Sequence, residues 1–198
     1  MNDSLEAEAT TPLPREGQRG GVLFPSYYLA PISYYAQLAQ CEEYCIDTDE
    51  AYRKQTLRNR CYIASPNGPL ALTIPVVKFV PYHTPMRDIR ISDHGNWRHL
   101  HWNALKSSYG RTPFFEFYSD EIAPFYEKKY EFLIDFNHVL QEKMCELIDI
   151  TSLPAKGGRQ MPYYQLFSDR HGFMADLSIV DLLFNMGPES IFYLIHNS

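Results

Sequence analysis

Tyr52-Arg53-Lys54-Gln55-Thr56-Leu57-Arg58-Asn59-Arg60-Cys61-Tyr62-Ile63, then Ser65-Pro66-Asn67-Gly68 and the apolar run Leu70 to Val77, reads as a β-hairpin with a basic leading strand. Leu57, Asn59, Cys61 and Ile63 alternate with Arg58, Arg60 and Tyr62, a period of two that places Arg58 and Arg60 on one strand face. Pro66-Asn67-Gly68 supplies the turn. Leu70 to Val77 suits a sheet interior, with Pro75 marking an edge or a strand end. Arg53, Lys54, Arg58 and Arg60 concentrate positive charge in a chain whose formal net charge is -6, directly after Asp47, Asp49 and Glu50. Such a cluster calls for a local anionic partner, either a ligand group or those neighbouring acids. A guanidinium fork binds phosphate or carboxylate bidentately, so two on one face could clamp one anionic group. Salt bridges from Arg58 and Arg60 to Asp47, Asp49 or Glu50 are the structural alternative.

Upstream, Gly21-Val22-Leu23-Phe24 reads as a short strand stopped by Pro25. Ile32, Tyr35, Leu38 and Ala39 recur at helical spacing between Pro31 and Tyr44, and Tyr44-Cys45-Ile46 reads as a second strand. Strand, helix and strand in so short a span form a βαβ-like unit. Downstream, residues 78–95 carry Pro81, Pro85 and Gly95 and predict a long loop with a short strand at Ile89-Arg90-Ile91. The pattern then turns helical. Trp97, His101, Ala104, Leu105 and Ser108 share a stripe that Gly110 stops. Pro113 opens an aromatic helix through Phe114, Phe117 and Tyr118. A longer helix spans roughly residues 126–149, followed by a loop at 151–160. Ser178 caps the apolar helix Ile179 to Asn185, which Gly187-Pro188 ends. The fold class expected is α/β, with α+β as the alternative: a βαβ-like unit and a hairpin, then a mostly helical C-terminal half, in one domain over residues 21–198. Residues 1–20 read as a disordered tail by composition.

Composition narrows the function classes. A length of 198 residues fits one domain with a sizeable core, and 15% aromatic residues, with 15 Tyr and 12 Phe, suit half-buried clefts or a tyrosine-rich core edge alike. The acidic balance argues against phosphate-backbone binding of nucleic acid. The first twenty residues lack the apolar region of a signal peptide, and no run of ~18 apolar residues could span a bilayer. Cys41, Cys45, Cys61 and Cys145 do not form a disulfide framework, so reduced thiols and a cytoplasmic location are expected. His101 lies on the inward stripe beside Trp97. It is either a general acid/base in a cleft or a hydrogen-bonded core histidine, the commoner outcome. His94, His99 and His101 do not form a metal set, because i and i+2 point apart on a helix. Cys41 and Cys45 lack a second ligand pair and read as buried thiols, so no metal or cofactor is expected. Asp181 follows Ser178 by three and reads as a capping-box or helix-dipole carboxylate.

Several motifs together resemble the WbqC-like protein family. They are Tyr28-Leu29-Ala30-Pro31 with Tyr34-Tyr35, the run Tyr52 to Cys61, Asn67-Gly68 with Leu72-Thr73-Ile74-Pro75-Val76, Trp97 through His101-Trp102 to Tyr109, and Pro113-Phe114-Phe115. Tyr164-Gln165-Leu166-Phe167 with Gly172-Phe173, Leu177 to Asn185, and Gly187-Pro188-Glu189 complete the set. The short bacterial branch, with Tyr-x-Lys-Gln ahead of Arg-Asn-Arg, is the most similar. The chain departs from the family at Thr48-Asp49-Glu50-Ala51, where Asp-Asp-Val-Gln is usual, and in a shorter connection between Ile150 and Tyr163.

Members of the family are known mainly from surface-polysaccharide gene clusters. The resemblance therefore implies a transferase acting on an activated anionic small molecule, a nucleotide-sugar or acyl donor. A non-catalytic ligand-binding or assembly module is the alternative. On the enzyme reading Lys54, Gln55, Arg58, Asn59 and Arg60 hold the anion, His101 transfers the proton, and Tyr28, Trp97 and Gln165 shape the pocket.

Overall fold

In the computed structural model, which describes residues 15–16, 21–150 and 162–196, the first elements form a three-stranded sheet. Arg15–Glu16 (β1) pairs antiparallel with Val22–Pro25 (β2), and β2 runs parallel to Tyr44–Asp47 (β3). The remainder of the expected tail, like the loop at 151–160, lies outside the described residues, but Arg15–Glu16 is strand. Ile32–Leu38 (α1) joins the parallel pair and completes the βαβ unit. Its stripe is buried as the spacing requires, with Ile32, Tyr35 and Leu38 each at most 3% exposed. Asp176 receives the first-turn Ser33 N–H at 2.8 Å and the Ser33 hydroxyl at 2.9 Å. A carboxylate from far along the chain thus does the work of a local cap.

Arg60–Ser65 (β4) and Gly68–Thr73 (β5) pair antiparallel, with Ser65 opposite Gly68 across the Pro66-Asn67 turn. Gly68, at φ 102°, occupies a conformation that needs no Cβ. Two expectations are corrected here. The strand starts at Arg60, not Leu57, because Lys54–Asn59 turns: the Thr56 hydroxyl bonds Arg53 O at 2.7 Å and Asn59 N–H bonds Thr56 O at 3.2 Å. Short polar side chains draw backbone groups away from a ladder. β5 ends at Thr73, because Ile74 N–H is bound to Asn59 O at 2.8 Å and Ile74 O accepts the Asn59 side-chain amide at 2.9 Å. Nor is β5 a sheet interior: Leu70 is 38% exposed.

The C-terminal half is helical. Trp97–Tyr109 (α2), Phe115–Glu127 (α3) and Leu133–Ile148 (α4) are followed by Ser168–His171 (α5), Ile179–Met186 (α6) and Ser190–His196 (α7). The helix expected from about 126 begins seven residues later, at Leu133. Residues before it are held extended against the 89–91 stretch, through an Arg90–Phe132 bridge and Ile91 N–H to Glu131 O at 2.9 Å. The strand expected at Ile89–Ile91 is reduced to isolated bridges to Val76 and Phe132. Helix α6 is the hub, with Ile179 through Asn185 all buried. Ser178 holds its N-cap position, but the hydroxyl makes no capping bond, and Asp181 turns into the core. One apolar cluster runs from Phe24 to Leu194.

Gly187 closes α6 at φ 54°, and a Cβ there would meet the Phe114 ring at 2.5 Å. Gly187→Ala is expected to lower unfolding free energy by about 2 kcal/mol or more, from forbidden backbone and overpacking together. Urea denaturation followed by circular dichroism would measure it, and an unchanged midpoint would contradict this packing.

Candidate functional site

Two segments bound an open groove of about 610 Å³: Tyr52, Arg53 and Lys54 on one side, and residues 76–79 with Pro81 and Tyr82 on the other. They are fixed to each other by backbone bonds. Tyr52 N–H reaches Thr84 O at 3.0 Å, Met86 N–H reaches Glu50 O at 2.9 Å, and Ala51 bridges Pro85. The loop holding Tyr82 is braced by Thr84, whose hydroxyl accepts Val80 N–H and donates to Val80 O, both at 3.1 Å.

Arg53, Lys54 and Lys78 are exposed and line the groove, and none joins an ion pair among the described residues. Among the described residues no carboxylate or imidazole is part of the lining. A single exposed charge contact is worth only about 0.2–1 kcal/mol, so affinity for an anion here rests on the three acting together. Tyr52 forms the inner wall. It is 1% exposed, with its ring edge-to-face against Phe79 at 4.8 Å, and its hydroxyl has no hydrogen-bond partner among the described residues. Burial raises the pKa of that phenol, against the pull of the Arg58 and Arg60 guanidinia.

Of the residues singled out by sequence, only Lys54 lines the groove. Gln55 is exposed beside it in the turn, at φ 62°. Arg58 leaves the expected strand face and forks onto Glu50, with Nε to Oε1 at 3.0 Å and Nη2 to Oε2 at 2.5 Å. The ion-pair alternative is therefore the one formed at Arg58. Arg60 donates through Nε to the Thr73 hydroxyl across the hairpin at 2.9 Å. Asn59 is 4% exposed and bonded to Ile74, so it stitches the turn to the hairpin.

His101 is 5% exposed. Its Nδ1 meets the Tyr28 hydroxyl at 2.9 Å, and that hydroxyl meets the Tyr126 hydroxyl at 2.8 Å. A hydrogen bond to the Thr73 backbone engages the ring as well, and burial holds its pKa down at about 4. Neutral imidazole thus donates to a backbone carbonyl and accepts from Tyr28, the arrangement of a satisfied core histidine. Trp97, 4% exposed, packs on the same ring at 5.1 Å and lies under the Arg98 guanidinium. Gln165 is equally internal. It donates to Asp181 and to Met174 O, both at 2.9 Å, and accepts Met174 N–H. Asp181 is 0% exposed and also takes the Tyr109 and Tyr163 hydroxyls at 2.9 and 2.5 Å. Its carboxylate ties three segments together instead of completing a capping box. These residues stand in the core, not in the groove.

Tyr52, Arg53, Lys78, Phe79 and Tyr82 were not singled out individually. Arg53 was visible as part of the basic run. Lys78, Phe79 and Tyr82 fell in an aperiodic loop, where interleaved basic and aromatic residues were the available signal. Among the described residues no three His, Cys, Asp or Glu converge as metal ligands, and no helix is long and apolar enough to cross a membrane.

The profile of the WbqC-like protein family matches residues 25–157, and the chain belongs to that family. An uncharacterized protein of Mycobacterium tuberculosis, Rv1507c, is 30% identical over 128 residues, which are 64% of this chain and 55% of the relative. The chain thus spans about half the length of the curated relative it matches. No solved structure matches it significantly. The groove lies wholly inside the matched span, whereas Gln165 and Asp181 lie beyond it.

Two outcomes follow from these placements. His101, neutral when folded, takes a proton less readily than it does in the unfolded chain. Stability is therefore full above pH 6.5 and declines as pH falls toward 4, by about 3 kcal/mol at most. The unfolding free energies of the wild type and His101→Gln should diverge by up to that amount across the window, and a constant difference between them would refute the assignment. Arg58→Ala should cost about 1–3 kcal/mol, since it leaves the half-buried Glu50 carboxylate unpaired. A double-mutant cycle with Glu50→Gln measures the coupling.

Proposed function

We propose that this member of the WbqC-like family binds an activated, anionic small molecule in the groove of Tyr52, Arg53, Lys54, Lys78 and Tyr82. In this reading it serves as a cytoplasmic transferase of surface-polysaccharide biosynthesis, with a nucleotide-sugar or acyl compound as donor. The observation that carries it is the convergence of Arg53, Lys54 and Lys78 on one groove whose lining, among the described residues, holds no carboxylate. In a chain of net charge -6, such a patch focuses the field on anions at one place. The apolar contribution of Val76, Val77 and Phe79 suits an organic ligand over a bare inorganic ion.

One observation favours a non-catalytic ligand-binding module. Proton transfer needs a positioned acid or base within hydrogen-bond reach of the reacting atoms. Among the described residues the groove is lined by no imidazole or carboxylate, and His101 is engaged in the core. On the transferase reading, the bound acceptor supplies the proton path. In both readings the groove holds the anion.

Thermal-shift and calorimetric titration with nucleotide-sugars and acyl-coenzymes separate these cases. Binding is expected, weakening about tenfold in Lys54→Ala/Lys78→Ala and falling with added salt, because exposed charge contacts are screened. Product formation from a bound donor would select the transferase. Binding without turnover across acceptors would select the module, and a flat response to every anion would remove the groove from consideration.

A further inference from the structure

Resting on the anion-binding reading above, we infer that the groove takes a nucleoside diphosphate unit, with the flat ring on Tyr82 and the two phosphates shared among Arg53, Lys54 and Lys78. Charge distribution is the first reason. Arg53 and Lys54 come from one segment and Lys78 from the other, so a ligand with one compact charge leaves cations unmatched. A pyrophosphate diester spreads its charge over two linked groups and can address both segments. Lys and Arg recognise such groups as point charge and fork respectively.

Tyr82 is the second reason. It lines the groove, yet it is 73% exposed, an aromatic face offered to solvent. Its backbone sits at φ 62°, a region that a bulky side chain seldom adopts, and the Thr84–Val80 bonds hold the loop in that form. A flat, braced aromatic face beside cations is the pattern that stacks nucleobases, since every base offers a π-face. Both a nucleotide-sugar and an acyl-coenzyme carry this nucleoside diphosphate element.

Calorimetric titration of the full chain with UDP, ADP and inorganic pyrophosphate tests the assignment. UDP and ADP should bind more tightly than pyrophosphate. Tyr82→Ala should weaken the nucleotides by about 5- to 100-fold and leave pyrophosphate unchanged, because stacking on an aromatic side chain is worth that much. Tyr82 is exposed, so this variant does not challenge folding. UDP-glucose and coenzyme A then identify the source: the tighter binder names it. If pyrophosphate or a sugar phosphate binds as tightly as the nucleotides and Tyr82→Ala is silent, the nucleotide assignment is overturned while anion binding stands. If no anion binds, both fall together.

Discussion

A phenol hydroxyl sealed from water must be satisfied by protein, or folding forfeits about 1–3 kcal/mol. Tyr28, 0% exposed, meets this constraint by bonding to His101 of α2 and Tyr126 of α3, while its ring packs on Phe136 of α4 at 5.9 Å. Its own N–H is bound to Leu57 O at 2.9 Å. One residue between β2 and α1 therefore couples three helices to the turn that precedes the hairpin. Asn137 of α4 adds a bond to Arg58 O at 2.9 Å. The basic run is thus anchored from behind by the core, which leaves Arg53 and Lys54 presented at the front.

Charge is sorted along the same run. Glu50 neutralises Arg58, and Asp49 pairs with Arg87. The acids before the run act as internal counterions for part of it. Arg53 and Lys54, which join no ion pair among the described residues, line the groove, where Lys78 joins from another segment. Of the four cations that the run places in an acidic chain, the N-terminal pair Arg53 and Lys54 lines the groove, while Arg58 is held by Glu50 and Arg60 by Thr73.

The legible parts of the fold were those written in local periodicity and turn chemistry. The βαβ unit, the Pro66-Asn67-Gly68 reversal and the buried α6 bounded by Ser178 and Gly187 all follow from such signals. The misread parts were decided by distant partners. Asn59 is tied to Ile74 by one side-chain and one backbone bond, and Glu131–Phe132 is drawn extended by residues 89–91, which no local pattern announces. The α2 stripe beside Trp97 aims His101 inward, but burial alone does not distinguish a cleft from a core, and nothing local marks Gln165, expected to shape the pocket, as internal. Lys54 was legible because it stands in a charge cluster. Lys78 and Tyr82 were not, because a Pro-punctuated loop carries no period to show which way a side chain faces.

Asp181 also governs how the chain re-enters the core after residues 151–161. On the near side, Ile150 N–H is fastened to Cys145 O at 2.9 Å. On the far side, Tyr163 and Gln165 are clamped at once by the Asp181 carboxylate. The segments bordering residues 151–161 are thus each moored by bonds of their own, at residues that do not line the groove, so the groove's two walls do not depend on them.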